Sequence, residues 1–540
     1  MNVHSRPGER TPGEPPAGEP KSLLRFVACG SVDHGKSTLL GRLLYESKQL
    51  FADQLETLAA DSRRYGTQGE ELDYSLLLDG LAAEREQNIT IDVAYRFFAT
   101  PRRKFIVIDT PGHEQYTANM ATGASLADLA LVLVSADEGL TRQTRRHIAI
   151  VGMLGIADVV LVVNKMDRAG WRQDTFCALE AEFREVAADC GIRNVVAIPV
   201  AAKTGDTIAG RSAHMPWYRG VTLLDYLEHI VPARAGARGP LRMPIQLVNR
   251  PDALFRGYSG LITSGAVEIG MPVKLSPSGA RSRIARIVTY DGDLVRAEAG
   301  QSVTLTLADQ IDASRGDIIA DADRAPAVTR RVRARVFWMG DQPLQPGQKY
   351  LAKLGTRTVP ATAAADLTVI DLDRQRSVDT QAIAQNEIGT GSLEFERPVA
   401  VDRYAECCDT GSFILIDPVS FDTVGMGCIE QLHEPPRRRW TLRGKSTTAN
   451  KSEKKSKRWS ETRARSLAKA VSWRATGSLD TFIVAFVITR SPKIAGSVAL
   501  TEIITKVLIY YFHERLWALV PWGKRGGSKE AQPAAAAHDA

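Results

Sequence analysis

The stretch GSVDHGKST, residues 30–38, decides how this 540-residue chain is read. An apolar run, LLRFVAC at residues 23–29, leads into it, and a helical pattern over residues 37–50 comes after it. A strand, a glycine-bounded loop ending in Lys-Ser, and then a helix make the phosphate-loop pattern G-x-x-x-x-G-K-[ST]. The loop is Gly30, Ser31, Val32, Asp33, His34, Gly35, Lys36, Ser37 and Thr38. Its glycines let backbone N–H groups turn onto phosphate oxygens. Lys36 is expected to reach the β- and γ-phosphates, and the Ser37 hydroxyl to reach Mg²⁺. A glycine-rich turn can match such a pattern by chance, so the reading depends on the motifs further along the chain.

Two further motifs occur in the order a guanine nucleotide site needs. Asp109, Thr110, Pro111, Gly112 and His113 follow the apolar run at residues 105–108. A carboxylate at a strand end can hold Mg²⁺ through water, and the Gly112 N–H can sense a γ-phosphate. Asn164, Lys165, Met166 and Asp167 follow the run at residues 159–163. The Asp167 carboxylate can accept both N1–H and N2–H of guanine, a donor pair that adenine lacks. Asn164 is expected to brace the loop, and the Lys165 stem to lie over the base. Ala201, Ala202 and Lys203, after residues 195–200, are placed to offer a backbone N–H to guanine O6. Thr90, in REQNITID at residues 85–92, is placed to be a third Mg²⁺ ligand beside Ser37 and Asp109. His113, next to Gly112, is the candidate catalytic residue that orients the attacking water. The expected ligands are therefore GTP and Mg²⁺.

Around these motifs, apolar runs alternate with helical patterns from residue 23 to about 227. The runs at residues 23–29, 105–108, Leu129–Ser135, 159–163 and 195–200 read as buried strands. Residues 143–154 and 175–190 read as helices. Such alternation predicts a mostly parallel sheet covered on both faces. Residues 231–240, rich in Pro, Gly and Arg, read as a linker. The rhythm then changes to short β-rich runs between Gly, Asp and Ser turns. They include residues 245–248, 261–263, 272–275, 284–288 and Ser302–Leu307, then 331–337, 367–372 and Ser412–Ile416. Two β-barrel domains are expected, over residues 240–325 and 330–432.

The net charge of +7 is concentrated late in the chain. Residues 437–474 hold fourteen Lys or Arg and two acids, Glu453 and Glu461. The remainder is close to neutral or slightly acidic, so the basic balance describes one segment and not the main body. Residues 436–465 read as a basic linker. A solvated linker is commoner than a nucleic-acid arm, and no nucleic-acid partner is expected. Residues 1–21 and 524–540 are expected to be disordered tails, the first without the apolar region of a secretory signal. Six cysteines without a C-x-x-C pair argue against a disulfide framework or zinc site and for reduced, buried thiols in a cytosolic chain.

The motif set resembles the translation-factor GTPase superfamily. Within it the chain more closely resembles the GTPase (large) subunit of bacterial two-subunit sulfate adenylyltransferase. The likeness covers residues 21–432. It is carried by AEREQNITIDVAYRF (83–97), MPWYRGVTLL (215–224), VNRPDALFRGYSGLITSG (248–265) and TGSFILID (410–417). It implies an α/β phosphate-loop GTPase domain at residues 22–235 followed by two β-barrels. It also implies a small partner subunit carrying the adenylyl-transfer site, where ATP and sulfate become adenylylsulfate and pyrophosphate at the expense of GTP. Three positions depart from the pattern. His34 stands where the sulfurylase subunit usually has Asp, Asn88 where a Gly is usual, and Ala201 where a Ser is usual. His34 is what elongation factors show, and an elongation-factor-like translational GTPase is the alternative reading. No second phosphate loop follows residue 432, so a fused adenylylsulfate kinase is not expected.

Residues 466–523 resemble a small predicted membrane domain of unknown function, on SLAKAVSWRATGSLDT (466–481), IAGSVALTEIITK (494–506) and YYFHERLW (510–517). Residues 494–512 are about long enough to span a bilayer. Glu502 and Lys506 can pair at i,i+4 within them, at a cost of several kcal/mol for central charges. A helical hairpin in the membrane is expected. A helix pair at the membrane surface and a soluble oligomerisation pair are the alternatives. The hairpin would tether a cytoplasmic enzyme to the inner face of the cytoplasmic membrane, because basic residues flank it on both sides.

Overall fold

A computed structural model describes residues 22–47, 72–77, 90–232, 239–251, 255–372 and 376–433, with Glu56, Leu58, Ala59, Ala60 and Ser62. All of them fall in one compact unit, Met1–Arg439. The expectations for the two tails, the basic linker, the C-terminal hairpin and Asn88 lie outside the described residues, as does the end of the helix expected over residues 37–50.

The first domain is built on a six-stranded sheet. Its strands are β1 (Leu23–Gly30), β2 (Ala94–Ala99), β3 (Lys104–Asp109), β4 (Leu129–Ser135), β5 (Asp158–Asn164) and β6 (Asn194–Pro199), in the order β2-β3-β1-β4-β5-β6. All neighbours are parallel except β2, which runs antiparallel to β3. Strands β4 (LALVLVS) and β5 (DVVLVVN) are buried at every position, the mark of a strand covered on both faces. Alternate residues then go to opposite cores. Val27, Val132 and Leu161 pack on one face with Met120, Ile148 and Phe183. Phe26, Leu131 and Val160 pack on the other with Leu39, Leu43 and Leu227.

The helices supplying those residues are α1 (Lys36–Glu46), α2 (Thr117–Ala124), α3 (Arg142–Met153), α4 (Gln173–Asp189) and α5 (Leu223–His229). Thr141 and Thr222 cap α3 and α5 by accepting the N–H of Thr144 and Asp225. Burial of each large side chain contributes about 1.5–3 kcal/mol, so the two cores hold the sheet edge in place beneath the loops it carries.

Two eight-stranded antiparallel sheets come next, with a two-stranded sheet of Ala266–Glu268 and Arg296–Glu298 beside the first. In the first, the path starts at Arg242–Pro244 and ends at Leu247–Asn249, segments consecutive in sequence. Arg242 also bridges to Ser264, so the sheet curls onto itself. In the second, Ala327–Trp338 pairs with both Thr423–His433 and Ile388–Val401, which closes a barrel. Each encloses its own apolar core, around Tyr258 and Leu305 in the first and around Trp338 and Leu415 in the second. The α/β domain followed by β-barrel sheets is the expected fold class. The sheets are tied by Arg242, whose guanidinium makes two hydrogen bonds to the Asp402 carboxylate (2.7 and 2.9 Å), both residues buried. Thr410 donates to the same carboxylate.

Several local expectations need correction. The antiparallel edge strand β2 was not anticipated, because AYRFFA alternates on an edge whose outer side chains Tyr95 and Phe97 stay exposed. Residues 245–248 are not one strand. The Ile245 N–H goes to Asp317 and the Gln246 N–H to Ser259, so the chain changes partner there. The strand expected at residues 261–263 is Gly257–Leu261, since the N–H groups of Ile262 and Thr263 turn to Gln301 and Arg242. All six cysteines are free, yet Cys177 is exposed and Cys190 and Cys408 are partly so. Cys29, Cys407 and Cys428 are buried.

Candidate nucleotide site

Because β1, β3, β4, β5 and β6 are parallel, their carboxyl ends share one edge. Register aligns Ala28 with Asp109, Gly30 with Leu133, Ser135 with Asn164, and Val163 with Pro199. The loops leaving that edge carry residues 30–38, 109–113, 164–167 and 201–203, which are up to 173 positions apart in the chain and neighbours in space. Open parallel sheets bind ligands at this edge, where neighbouring connections run in opposite directions.

The phosphate loop ends at Gly35, whose φ of 83° is left-handed, and α1 starts at Lys36 with no side chain capping it. A Cβ on Gly35 would lie 2.4 Å from Asn164 Nδ2, so only glycine fits. The first N–H groups of α1 are the donors such a loop presents to an anion. Lys36 is buried, and its ammonium donates to Gly30 O (3.1 Å) and Ser31 O (2.8 Å). Burial pushes its pKa down, and the Asp109 carboxylate opposes that shift. Gly112 sits against the same ammonium, since a Cβ there would lie 2.4 Å from Lys36 Nζ. Thr110 pins this second loop by donating from Oγ1 to Ala28 O at 2.7 Å. His113 comes next, half-exposed, its ring edge-on to Tyr116 at 6.3 Å.

Asn164 is the brace. Its Nδ2 donates to His34 O (2.9 Å), and its Oδ1 accepts the Ala202 N–H (3.0 Å). One buried side chain thus joins the phosphate loop, the 164–167 loop and the 201–203 loop. Of the last loop, the Ala201 N–H goes to Asp206 O and the Ala202 N–H to Asn164, so those two donors are turned away from a base. Lys165 is left-handed at φ 59°, with its ammonium 3.7 Å from Glu138 Oε1. The loop is fixed by the Met166 N–H to Val200 O (3.2 Å) and the Trp171 N–H to Met166 O (2.8 Å), with Asp167 half-buried between them.

The oxygen donors Ser37, Thr90 and Asp109 suit a hard cation such as Mg²⁺. Ser37 lies in the first turn of α1, Asp109 is buried at the end of β3, and Thr90 is half-buried. A buried ammonium beside glycine backbone and an uncapped helix start fits a polyphosphate.

His147 was missed. It is fully buried on α3, and its Nδ1 accepts the Gly30 N–H at 3.1 Å. Burial, followed by the positive charges of Lys36 and Arg146, lowers its pKa to about 3, so the ring is neutral. Its signal was a histidine beside IAIV in a helix read as plain cover. His34 also faces inward. Its Nδ1 donates to Leu133 O at 3.0 Å, so its ring does not point at the loop's ligand side. Burial lowers its pKa as well. Arg42, also unanticipated, donates to Lys203 O at 3.2 Å.

Comparison with known proteins gives three family matches. Residues 21–233 match the family described as Elongation factor Tu GTP binding domain. Residues 331–430 match GTP-eEF1A C-terminal domain-like, and residues 467–518 match Predicted membrane protein (DUF2061). The Methylorubrum extorquens protein named sulfate adenylyltransferase subunit 1 is 53% identical over 413 residues, covering 76% of this chain and 88% of that protein. An Aeromonas hydrophila protein of the same name is 50% identical over 409 residues, covering 76% and 86%. The Xylella fastidiosa protein named bifunctional enzyme CysN/CysC is 53% identical over 412 residues, covering 76% and 66%. With identity of that extent over about three quarters of its length, this chain belongs to the family of sulfate adenylyltransferase subunit 1.

Proposed function

We propose that this chain is the GTP-hydrolysing subunit of a sulfate adenylyltransferase. In this reading, GTP hydrolysis here drives a reaction on a small partner subunit. A sulfate oxygen attacks the α-phosphorus of ATP, the bond to the β-phosphate breaks, and adenylylsulfate and pyrophosphate form. The observation that carries the reading is the 53% identity to a sulfate adenylyltransferase subunit 1 over 413 residues.

The site supports the residue roles. Lys36 and the backbone of residues 30–38 would bind the phosphates, with Asn164 holding the loops in register. Asp167 would select guanine, with Lys165 over the ring and residues 201–203 closing the pocket. Ser37, Thr90 and Asp109 would hold Mg²⁺, which supplies charge neutralisation at the β- and γ-phosphates. His113 would orient the water whose oxygen attacks the γ-phosphorus, leaving GDP and inorganic phosphate.

The test is co-purification with the small subunit, then assay of pyrophosphate release from ATP and sulfate. GTP is expected to raise the rate, and a non-hydrolysable GTP analogue is not. A rate indifferent to GTP, or a chain that binds no such partner, overturns the reading in favour of a translational GTPase.

The C-terminal segment is proposed to tether the enzyme to the inner face of the cytoplasmic membrane. Support comes from the family match at residues 467–518 and the fourteen basic residues over 437–474. Among the described residues no helix is long and apolar enough to cross a membrane. Fractionation of the full chain, beside one cut after Leu432, provides the test. The full chain is expected in the membrane pellet after both high salt and alkaline treatment. Release by either treatment points to surface binding, and a full chain soluble from the start overturns the tether.

A further inference from the structure

The Asn386 side chain of the second barrel reaches the loop that carries His113. Asn386 lies in the turn before the strand Ile388–Val401, with a left-handed φ of 63°. The turn is pinned on every side. The Asn386 N–H donates to Trp338 O (2.9 Å), the Ala384 N–H donates to Glu387 Oε2 (2.8 Å), and Gln385 Nε2 donates to Asp341 Oδ1 (2.8 Å). From this fixed base Asn386 Nδ2 donates to Glu114 O at 3.1 Å, across 272 positions of sequence. Glu114 is the residue immediately after His113.

Glu114 is also held from the other side. Its carbonyl accepts Thr117 Oγ1 at 2.6 Å, and its carboxylate pairs with the buried Arg146 at 2.9 Å. Arg146 donates to Gln143 Oε1 (2.7 Å), and Gln143 Nε2 lies 2.9 Å from His147 Nε2 and donates to Thr117 Oγ1 (3.2 Å). His147 Nδ1 in turn accepts the Gly30 N–H. Hydrogen bonds and one ion pair therefore link the barrel turn and the residue beside His113 to Thr117, Arg146 and Gln143; the run stops short of the phosphate loop, because the His147 Nε2–H and the Gln143 amide N–H that face each other are both donors. Thr117 and Arg146 are buried, whereas the Asn386–Glu114 bond itself lies at the exposed rim of the contact.

We infer that Asn386 is a positioning residue for His113, so that GTP hydrolysis depends on the second barrel being docked on the GTP-binding domain. The inference rests on the water-orienting role of His113 and adds a group from outside that domain. A left-handed turn alone would accept Gly or Asp as readily as Asn. Only Asn supplies the donor to Glu114 O. Gly keeps the backbone and removes the donor, while Asp keeps the shape and points an acceptor at a carbonyl.

The experiment measures steady-state GTP hydrolysis by the full chain in complex with its partner subunit, for the parent, Asn386→Gly and Asn386→Asp, each with and without His113→Ala. Loss of one hydrogen bond of this kind lowers a rate about fivefold to tenfold. Both Asn386 variants are expected to lose that much in kcat, with KM for GTP within about twofold of the parent. On the His113→Ala background neither is expected to lower kcat further. Variants that hydrolyse GTP like the parent mark Asn386 as a turn residue only and overturn the inference. So does a loss that persists undiminished when His113 is absent. A parent complex that does not hydrolyse GTP overturns the functional reading, and the inference falls with it.

Discussion

Asp167→Asn is expected to move nucleotide preference from guanine to xanthine. The Asp167 carboxylate would offer two acceptors to the N1–H and the exocyclic amine of guanine. Asparagine keeps one acceptor and turns the other into a donor, which faces an amine in guanine and a carbonyl in xanthine. Losing a charge-assisted pair and setting two donors against each other costs on the order of 3–4 kcal/mol. GTP affinity should therefore fall by about 10²- to 10³-fold, with xanthosine triphosphate gaining by a comparable factor. The substitution is nearly isosteric, and backbone hydrogen bonds from Met166, Arg168, Gly170 and Trp171 fix the loop independently of the side chain. The change should thus be one of specificity and not of folding. Competition binding with the two triphosphates measures it. A variant that binds GTP as the parent does would remove Asp167 from base recognition.

His113→Ala should separate binding from turnover. The ring is half-exposed, and its nearest aromatic neighbour is Tyr116, edge-on at 6.3 Å, so truncation disturbs no core. Phosphate binding would rest on Lys36 and the loop backbone, which the substitution leaves alone. GTP affinity is expected to stay within a few-fold of the parent. Single-turnover hydrolysis should slow by about 10²-fold or more, the scale of a group that positions a nucleophilic water. The GTP-stimulated part of adenylylsulfate formation should fall in step. Hydrolysis at the parental rate would remove His113 from the reaction.

Much of the architecture was legible in the sequence. Runs such as LALVLVS and VVLVV are short, rich in Val and without a polar face, so they read as strands covered on both sides, and alternation with helical patterns then argues for parallel pairing. The motifs come directly after those strands, so parallel pairing already places them on one edge. Edge strand β2 was not legible, because an exposed alternation with aromatic residues looks like any loop-flanking segment. Within the first β-sheet the strand limits shifted by several residues. There the ends are decided by which neighbour receives each N–H, as at Ile245, Gln246, Ile262 and Thr263.

The sequence by itself determined the chemistry offered: the glycine-bounded loop with Lys36 and Ser37, the carboxylates Asp109 and Asp167, and their order along the chain. These depend on residue type and local spacing, which are properties of a string. The tertiary structure alone decided which partner each polar group meets. Asn164 spends its amide on His34 O and the Ala202 N–H, His147 grips the Gly30 N–H from inside the core, and Asn386 reaches Glu114 from another domain. Those pairs lie 38 to 272 positions apart, and no local pattern records them. A hydrogen bond is a matter of about 3 Å and an angle, and both are set only when the sheet has brought distant segments together.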